Sequence, residues 1–310
     1  MCPYILRRGK WVIYNALTKI PRNSSMATRR VVSLESITTR MRGYAERVNG
    51  ALEKELAIYR HSRFYGPLVY AVEGGKRVRP LLFLLSAEAL GKKDDSILDV
   101  AVAIELLHTE SIIHDDIIDE AVARRARMTF HAKYGFSASL LTADFVFAVI
   151  LAIASRYKSK RISGEISRAA LRMAEGEYSE LTIDPKVYNL TWDEYLKIVS
   201  DKTASLFETS TKLGALTAGG SEKEVTALAT FGKYLGIAYQ LRDDLLDWRN
   251  QDKISVGLLK NHSESEVVGK MTALSQTYAE EAKRQLLMLR RSNATEFLED
   301  IMDYAVQREH

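Results

Sequence analysis

The sequence predicts an all-α fold in one large helical bundle, and three observations carry the prediction. Apolar residues recur at steps of three and four, as in Ile37, Met41, Tyr44 and Val48, which places them on one helix face. Only five of the 310 residues are proline, and one alone, Pro185, follows Pro80, so most of the chain lacks the residue that breaks helices. No stretch alternates strictly over the length of a strand, and no short repeat of the solenoid kind is present. With 46% hydrophobic and 27% charged residues the chain can bury a large core, which excludes a disordered, collagen-like or disulfide-stapled protein.

Residues 1–33 read as a basic extension. Arg7, Arg8, Lys10, Lys19, Arg22, Arg29 and Arg30 precede the first acid, Glu35. Removing those seven from 44 basic residues leaves 37 against 40 acidic ones, so the body is slightly acidic and is not expected to bind nucleic acid. The extension suits a transit peptide, a disordered arm or a chain started at Met26, and the last two are preferred. Cys2 is the lone cysteine and can form no internal disulfide, which favours a reducing compartment. A cytoplasmic place is expected, with organelle targeting left open.

The helical pattern begins near Leu34. Turn signals at Gly66-Pro67, Glu73-Gly74-Gly75, Gly91 to Asp95, Asp184-Pro185, Gly219-Gly220 and around Gly257 divide it. No linker is long enough to separate two domains, so residues 34–310 are taken as one. Gly74 and Gly75 announce a helix start at which Lys76 and Arg79, three apart, can face one anion. A helical run from Ala101 to Ile113 leads into His114-Asp115-Asp116-Ile117-Ile118-Asp119. The longest apolar run, Phe145 to Ala154, lies between Asp144 and Arg156 and falls short of the about 20 residues that cross a bilayer. It reads as a buried helix, and no transmembrane segment is expected.

The aspartates carry the chemistry. On a helix Asp115 and Asp119 lie one turn apart, with Asp116 beside them, and three acids this close repel one another unless solvated or neutralised. Taken alone the cluster reads rather as a wet acidic helix surface. Asp243-Asp244-Leu245-Leu246-Asp247 repeats the same spacing, and two such ladders facing one cavity would suit Mg²⁺ ions bridged by a diphosphate. The absence of a histidine in register argues against zinc. Arg124-Arg125 and Lys202-Thr203 add cations near the two clusters; singly, each reads as a solvated charge.

These pieces, in order, resemble the all-trans polyprenyl (isoprenyl) diphosphate synthase family: Gly-Gly-Lys-Arg-Val-Arg-Pro at 74–80, Asp-Asp-x-x-Asp at 115–119, Arg-Arg at 124 and 125, Lys-Thr at 202 and 203, and Gln240 ahead of the second Asp-Asp-x-x-Asp. Glu175-Gly176-Glu177 and Phe231-Gly232 to Leu235-Gly236 add to the likeness, which covers roughly residues 40–250. The resemblance implies a helical bundle around a central substrate cavity and Mg²⁺-dependent head-to-tail condensation of isopentenyl diphosphate with an allylic diphosphate. It implies that Lys76, Arg79, His108 and Arg125 bind isopentenyl diphosphate. Arg124, Lys202 and metal held by Asp115, Asp119 and Asp243 would bind the allylic partner, with Asp116, Asp244 and Asp247 completing the metal set. Thr203 and Gln240 would face the allylic cation as dipoles, and the enzyme would be a homodimer. His108 as a lone histidine also suits a satisfied core position, and Glu105, Thr109 and Asp116 suit support or surface roles.

Two departures stand out. Where members carry a Gly-Lys pair beyond the second cluster, this chain has Gly257, with Lys253 and Lys260 on either side, and the lysine is left unassigned. Arg-Arg is followed by Ala126-Arg127-Met128 in place of Gly-x-Pro, which questions the local turn. Short-chain members have an aromatic four or five residues before the first aspartate; here those positions are Ser111 and Glu110, with Leu107 and Ile104 below, so a geranylgeranyl or longer product is expected. A charged Glu110 beside a hydrocarbon tail would be costly unless paired or turned away. The alternatives are a class I terpene cyclase, which needs no second diphosphate site, and a non-catalytic subunit of a heteromeric synthase, which should have lost a cluster.

Overall fold

Helix α1 (Leu34–Ala57) starts the part of the chain that the computed structural model describes, residues 34–124, 126–184, 187–248 and 254–307. The expectations for the basic extension and for Arg125, Pro185 and Lys253 lie outside the described residues. Eleven further α-helices follow: α2 (Tyr65–Val72), α3 (Val78–Ala89), α4 (Leu98–Ile118), α5 (Phe130–Tyr134), α6 (Phe136–Ser155), α7 (Lys160–Leu181), α8 (Trp192–Val199), α9 (Ser205–Thr217), α10 (Glu222–Leu246), α11 (Glu264–Leu286) and α12 (Asn293–Gln307). Among the described residues the only strands are β1 (Ala123–Arg124) and β2 (Arg127–Met128), an antiparallel pair. The expected all-α fold is therefore what the chain adopts.

The helix starts follow from local chemistry. Thr191 with Glu194, Ser221 with Glu224 and Ser263 with Glu266 each form a reciprocal capping box, satisfying orphan N–H groups at the starts of α8, α10 and α11. Each cap contributes about 1 kcal/mol. Helix α4 is the axis of the bundle because its sequence is apolar on every side: Val100, Ala101, Val102, Ala103, Ile104, Leu106 and Leu107 are all buried. They pack with Phe83 and Leu84 of α3, Val146 and Ile150 of α6, and Leu206 and Leu213 of α9. A second cluster joins Tyr195 and Ile198 of α8 to Ile237 and Leu241 of α10 and to Val267 and Met271 of α11.

Helices α8 and α9 are continuous through a single π-helical turn, Ser200–Ala204. Such turns widen a helix locally and collect at functional sites. Two glycines let neighbouring helices close on this one: a Cβ at Gly176 of α7 would lie 2.3 Å from the Lys202 nitrogen, and one at Gly236 of α10 would lie 2.6 Å from the Ala204 Cα. Arg172 of α7 straps the turn with bonds to Asp201 (3.0 Å) and onward to Glu208 (2.7 Å). The familial glycines thus fix where Lys202 and Thr203 point.

One expectation, the buried helix, is corrected, and the turn that the sequence put in question takes a definite form. Helix α6 is longer than the apolar run that announced it, and it buries only the face that carries Val146, Val149, Ile150 and Ile153. Phe136, Leu140, Leu141, Phe147 and Leu151 stay exposed. It is 20 residues long, and an 18-residue stretch of it with a mean hydropathy of 2.1, of which 39% is buried inside the protein, reaches the length and composition of a membrane-crossing helix. The turn after Arg124 is a tight ribbon in which Ala126 takes the left-handed conformation (φ 60°), at a cost of about 1–2 kcal/mol that glycine would escape. Arg127 holds the ribbon against the end of α2 through the Glu73 (2.9 Å) and Tyr70 (3.1 Å) carbonyls.

Candidate active site

The last turns of α4 and α10 converge on one cavity of about 1270 Å³ whose walls include Asp115, Asp119, Asp243, Asp244 and Asp247. Arg124, Lys202, Thr203 and Gln240 line the same space. A smaller cavity of about 170 Å³ adjoins it, lined by Gly74, Gly75, Lys76 and Arg79 and sharing Arg79, His108, Ile112 and Tyr239 with the larger one. Residues from Gly74 to Asp247 are thus brought together around two adjoining cavities.

The aspartates divide by burial. Asp119 closes α4 with its N–H on the Asp115 carbonyl, and burial, aided by the Asp115 charge, raises its pKa above the usual carboxylate range. Asp116 is 3% exposed and its Oδ1 accepts from Arg124 Nε at 2.6 Å. Asp244 is equally buried and accepts from the Tyr195 hydroxyl at 2.5 Å and from Gln240 Nε2 at 2.9 Å. The resemblance implied that both middle aspartates complete the metal set; in the structure each is buried and hydrogen-bonded to protein partners, Asp116 to Arg124 and Asp244 to Tyr195 and Gln240.

Lys202 reaches from the π turn into a nest of carboxylates: Glu180 at 2.7 Å, Glu177 at 2.8 Å and Asp115 at 3.4 Å. Burial works against its charge, but Glu180, Asp115 and Glu177 outweigh that and hold its pKa above the ordinary lysine range. Burial also pushes Glu177 up to about 7. The sequence quoted Glu177 without giving it a role, and Glu180, three residues on along the same helix face, passed unnoticed. Thr203 donates its hydroxyl to Gln240 Oε1 at 2.9 Å, so the two dipoles expected to act side by side are joined to each other.

At the smaller cavity Arg79 donates to His108 Nε2 at 2.9 Å, and its guanidinium lies 4.8 Å from the Phe207 ring centre. Arg77, which the sequence left unassigned between Lys76 and Arg79, is buried with left-handed backbone (φ 52°). That conformation turns it inward to Glu105 (2.6 Å), Asn49 (2.9 Å) and the Val72 carbonyl (2.5 Å), while Lys76 stays exposed at the cavity. Glu105 is therefore support, as is Thr109, which bonds the Glu105 carbonyl at 2.9 Å. Gly257 packs 3.1 Å from Leu190 by its missing Cβ, and Lys260, three residues on, is exposed.

Below the first cluster the larger cavity continues between α4, α6 and α7, past Ser111 and Leu107 on one side and Phe147, Ala170, Leu171 and Ala174 on the other. Glu110 does not confront this apolar end as a bare charge. It accepts from His114 at 3.1 Å, and that bond, opposed by burial, raises the His114 pKa above the ordinary histidine value.

Among the described residues no three His, Cys, Asp or Glu side chains enclose an ion by themselves. The open aspartates nevertheless fit hard cations. They offer only oxygen, and they stand at helix C-termini, whose dipole is negative and disfavours further anions. A cation sharing its coordination with substrate phosphate would relieve both, which is how Mg²⁺ is commonly held.

A sequence model of the family described as Polyprenyl synthetase matches residues 61–306. The octaprenyl diphosphate synthase of Escherichia coli K12 is 33% identical over 237 residues, 74% of this chain and 72% of that protein. The crystal structure of geranylgeranyl pyrophosphate synthetase from Pyrococcus horikoshii Ot3 superposes with a TM-score of 0.81 at 26% identity, covering 89% of this chain and 99% of that one. That of a polyprenyl synthase from Caulobacter crescentus CB15, complexed with calcium and isoprenyl diphosphate, gives a TM-score of 0.77 at 27% identity, covering 88% and 98%.

Proposed function

The chain belongs to the polyprenyl synthetase family and is a prenyltransferase, and from that premise we propose that it condenses isopentenyl diphosphate head to tail with an allylic diphosphate to give an all-trans product of twenty carbons or more, with Mg²⁺ as the metal. The observation that carries the proposal is the meeting of two aspartate ladders and a second, cation-lined cavity in one space.

Asp115, Asp119, Asp243 and Asp247 would hold the metal, which when bound would neutralise the charge growing on the allylic diphosphate as its C–O bond breaks. Lys202 and Arg124 would bind the same diphosphate, with Lys202 leaving Asp115 for it. Lys76, Arg79 and His108, with Arg125, would seat the diphosphate of isopentenyl diphosphate in the smaller cavity. The Thr203 hydroxyl oxygen and nearby carbonyls would face the allylic carbon as it loses its oxygen. The new bond forms between that carbon and the isopentenyl alkene, and the proton then lost passes to the released diphosphate. No protein nucleophile or general base is needed; the chain orients the reactants and keeps out water.

The apolar corridor past Ser111 supports a product longer than fifteen carbons, since no aromatic ring stands there on α4. The exposed face of α6 supports a homodimer, because Phe136, Leu140, Leu141 and Leu151 would be covered by a second copy. The single cysteine supports a reducing, cytoplasmic place, with organelle targeting left open by the basic N-terminus. A terpene cyclase would leave the cavity of Lys76 and Arg79 without a ligand. Incubating the purified protein with Mg²⁺, isopentenyl diphosphate and each allylic starter, and sizing the products, tests the reading; cyclic hydrocarbons or no reaction would sink it.

A further inference from the structure

Tyr195 lies 7 residues before Lys202 and lines neither cavity, yet it is fully buried and spends its hydroxyl on one group, Asp244. The direction of each bond beyond it is fixed by donor and acceptor chemistry. Tyr195 donates its hydroxyl to Asp244 Oδ2, and Gln240 donates its NH₂ to Oδ1, so the amide is turned with its nitrogen toward the carboxyl group. The Gln240 carbonyl therefore faces Thr203, and the single hydroxyl proton of Thr203 is given to it. What Thr203 has left for the cavity is the lone-pair side of its oxygen, the negative end of the dipole. The chain of three bonds runs from the buried interface of α8 and α10 to the wall of the larger cavity, which both Thr203 and Gln240 line.

We propose that Tyr195 is a positioning residue which, through Asp244 and Gln240, fixes the orientation of the Thr203 hydroxyl so that its oxygen faces the carbon that becomes cationic. The proposal rests on the prenyltransferase reading above. It assigns Asp244 to the relay, and it explains why the second cluster keeps a buried carboxylate one position away from Asp243. Stabilisation of a developing charge depends on dipoles held in place beforehand. A Thr203 hydroxyl free to rotate would present its proton to the cation as readily as its oxygen.

Tyr195→Phe removes one oxygen and little volume. Losing a hydrogen bond to a charged group is expected to lower kcat about tenfold, with KM for both substrates and the Mg²⁺ concentration at half-maximal rate within about twofold of wild type. Thermal unfolding verifies the fold. In a Gln240→Leu background the relay is already cut, and adding Tyr195→Phe should change kcat no further; a merely structural tyrosine would not produce that loss of effect. Should Tyr195→Phe fail to fold, Asp244→Asn in the same two backgrounds gives the same reading. An unchanged kcat in Tyr195→Phe, or the full tenfold loss persisting in the Gln240→Leu background, overturns the relay. A wild-type protein that makes no prenyl diphosphate overturns the functional reading itself, whereas an active wild type with an unaffected Tyr195→Phe overturns the relay alone.

Discussion

Asp119 ends α4 with a backbone bond to Asp115 at 2.9 Å, and Asp247 ends α10 with the same bond to Asp243 at the same length. In both clusters the middle aspartate is 3% exposed. From there the two diverge. Asp116 reaches eight residues ahead to Arg124, a cation in the cavity wall, whereas Asp244 reaches 49 residues back to Tyr195 and one turn back to Gln240, both uncharged. Lys202 leans toward the first ladder with Glu177 and Glu180 behind it. Four residues before the first aspartate α4 has Ser111, while α10 has Tyr239, packed 5.4 Å from Phe207. One motif thus takes two settings: the first cluster holds the Arg124 guanidinium with Ser111 one turn below it, the second holds the neutral Tyr195 and Gln240 with Tyr239 one turn below.

The first aspartate of each cluster tests what the two share. Asp115→Ala and Asp243→Ala are each expected to lower turnover by about a thousandfold, since several kcal/mol of charge stabilisation is lost with a ligand. Circular dichroism should remain that of the helical fold. If one variant keeps turnover within tenfold of wild type, the ladders are not equivalent and the proposed metal set is wrong.

The middle aspartates test the difference. Asp116→Asn should raise KM for the allylic diphosphate about tenfold by loosening Arg124, and leave KM for isopentenyl diphosphate in place. Asp244→Asn should act on kcat and spare both KM values. Matching signatures would erase the distinction between the clusters.

How much of this was legible in the sequence depends on range. The aspartate ladders were, because spacing within one helical turn is local geometry. The lack of an aromatic at Ser111 was legible too, though its bearing on product length came from the family resemblance and not from the residues alone. The task of the middle aspartates was not, since burial of Asp244 depends on a tyrosine 49 residues away. Nor was the π turn, for which no residue pattern exists; Gly176 and Gly236 reveal their purpose only once α7 and α10 lie against it. Arg77 read as one more cation in a basic run until its left-handed backbone turned it inward. The apolar run in α6 could announce a helix but not which half of it the fold would cover.

The carboxylates behind Lys202 sharpen the asymmetry further, with a smaller effect. Burial lifts Glu177 from its ordinary value of 4.5 to about 7, so the folded, metal-free protein binds a proton there that the unfolded chain has released. The contribution to stability is present below pH 4.5 and is lost as pH rises to about 7. Glu177→Gln should flatten that part of the stability profile in chelator-treated protein, changing the melting temperature by a few degrees. A profile with the same slope in wild type and variant would show that Lys202, not burial, sets the charge of Glu177.

The smallest change in rate, and the most telling about the two helices, is expected from Ser111→Phe. Ser111 lines the larger cavity one turn below Asp115, where its hydroxyl bonds the His108 carbonyl at 2.9 Å and leaves the corridor open. A ring there would give α4 the kind of aromatic block that Tyr239 already gives α10, directly in the path of the growing tail. Turnover with short allylic starters should stay within a few-fold of wild type, because the metal ladder and both diphosphate sites are untouched. The product should shorten toward fifteen carbons, as read by chromatography of the dephosphorylated alcohols. If a folded, active Ser111→Phe enzyme makes the wild-type product, the tail does not descend along α4, and the wall between α6 and α7, with Phe147 and Leu171, becomes its path.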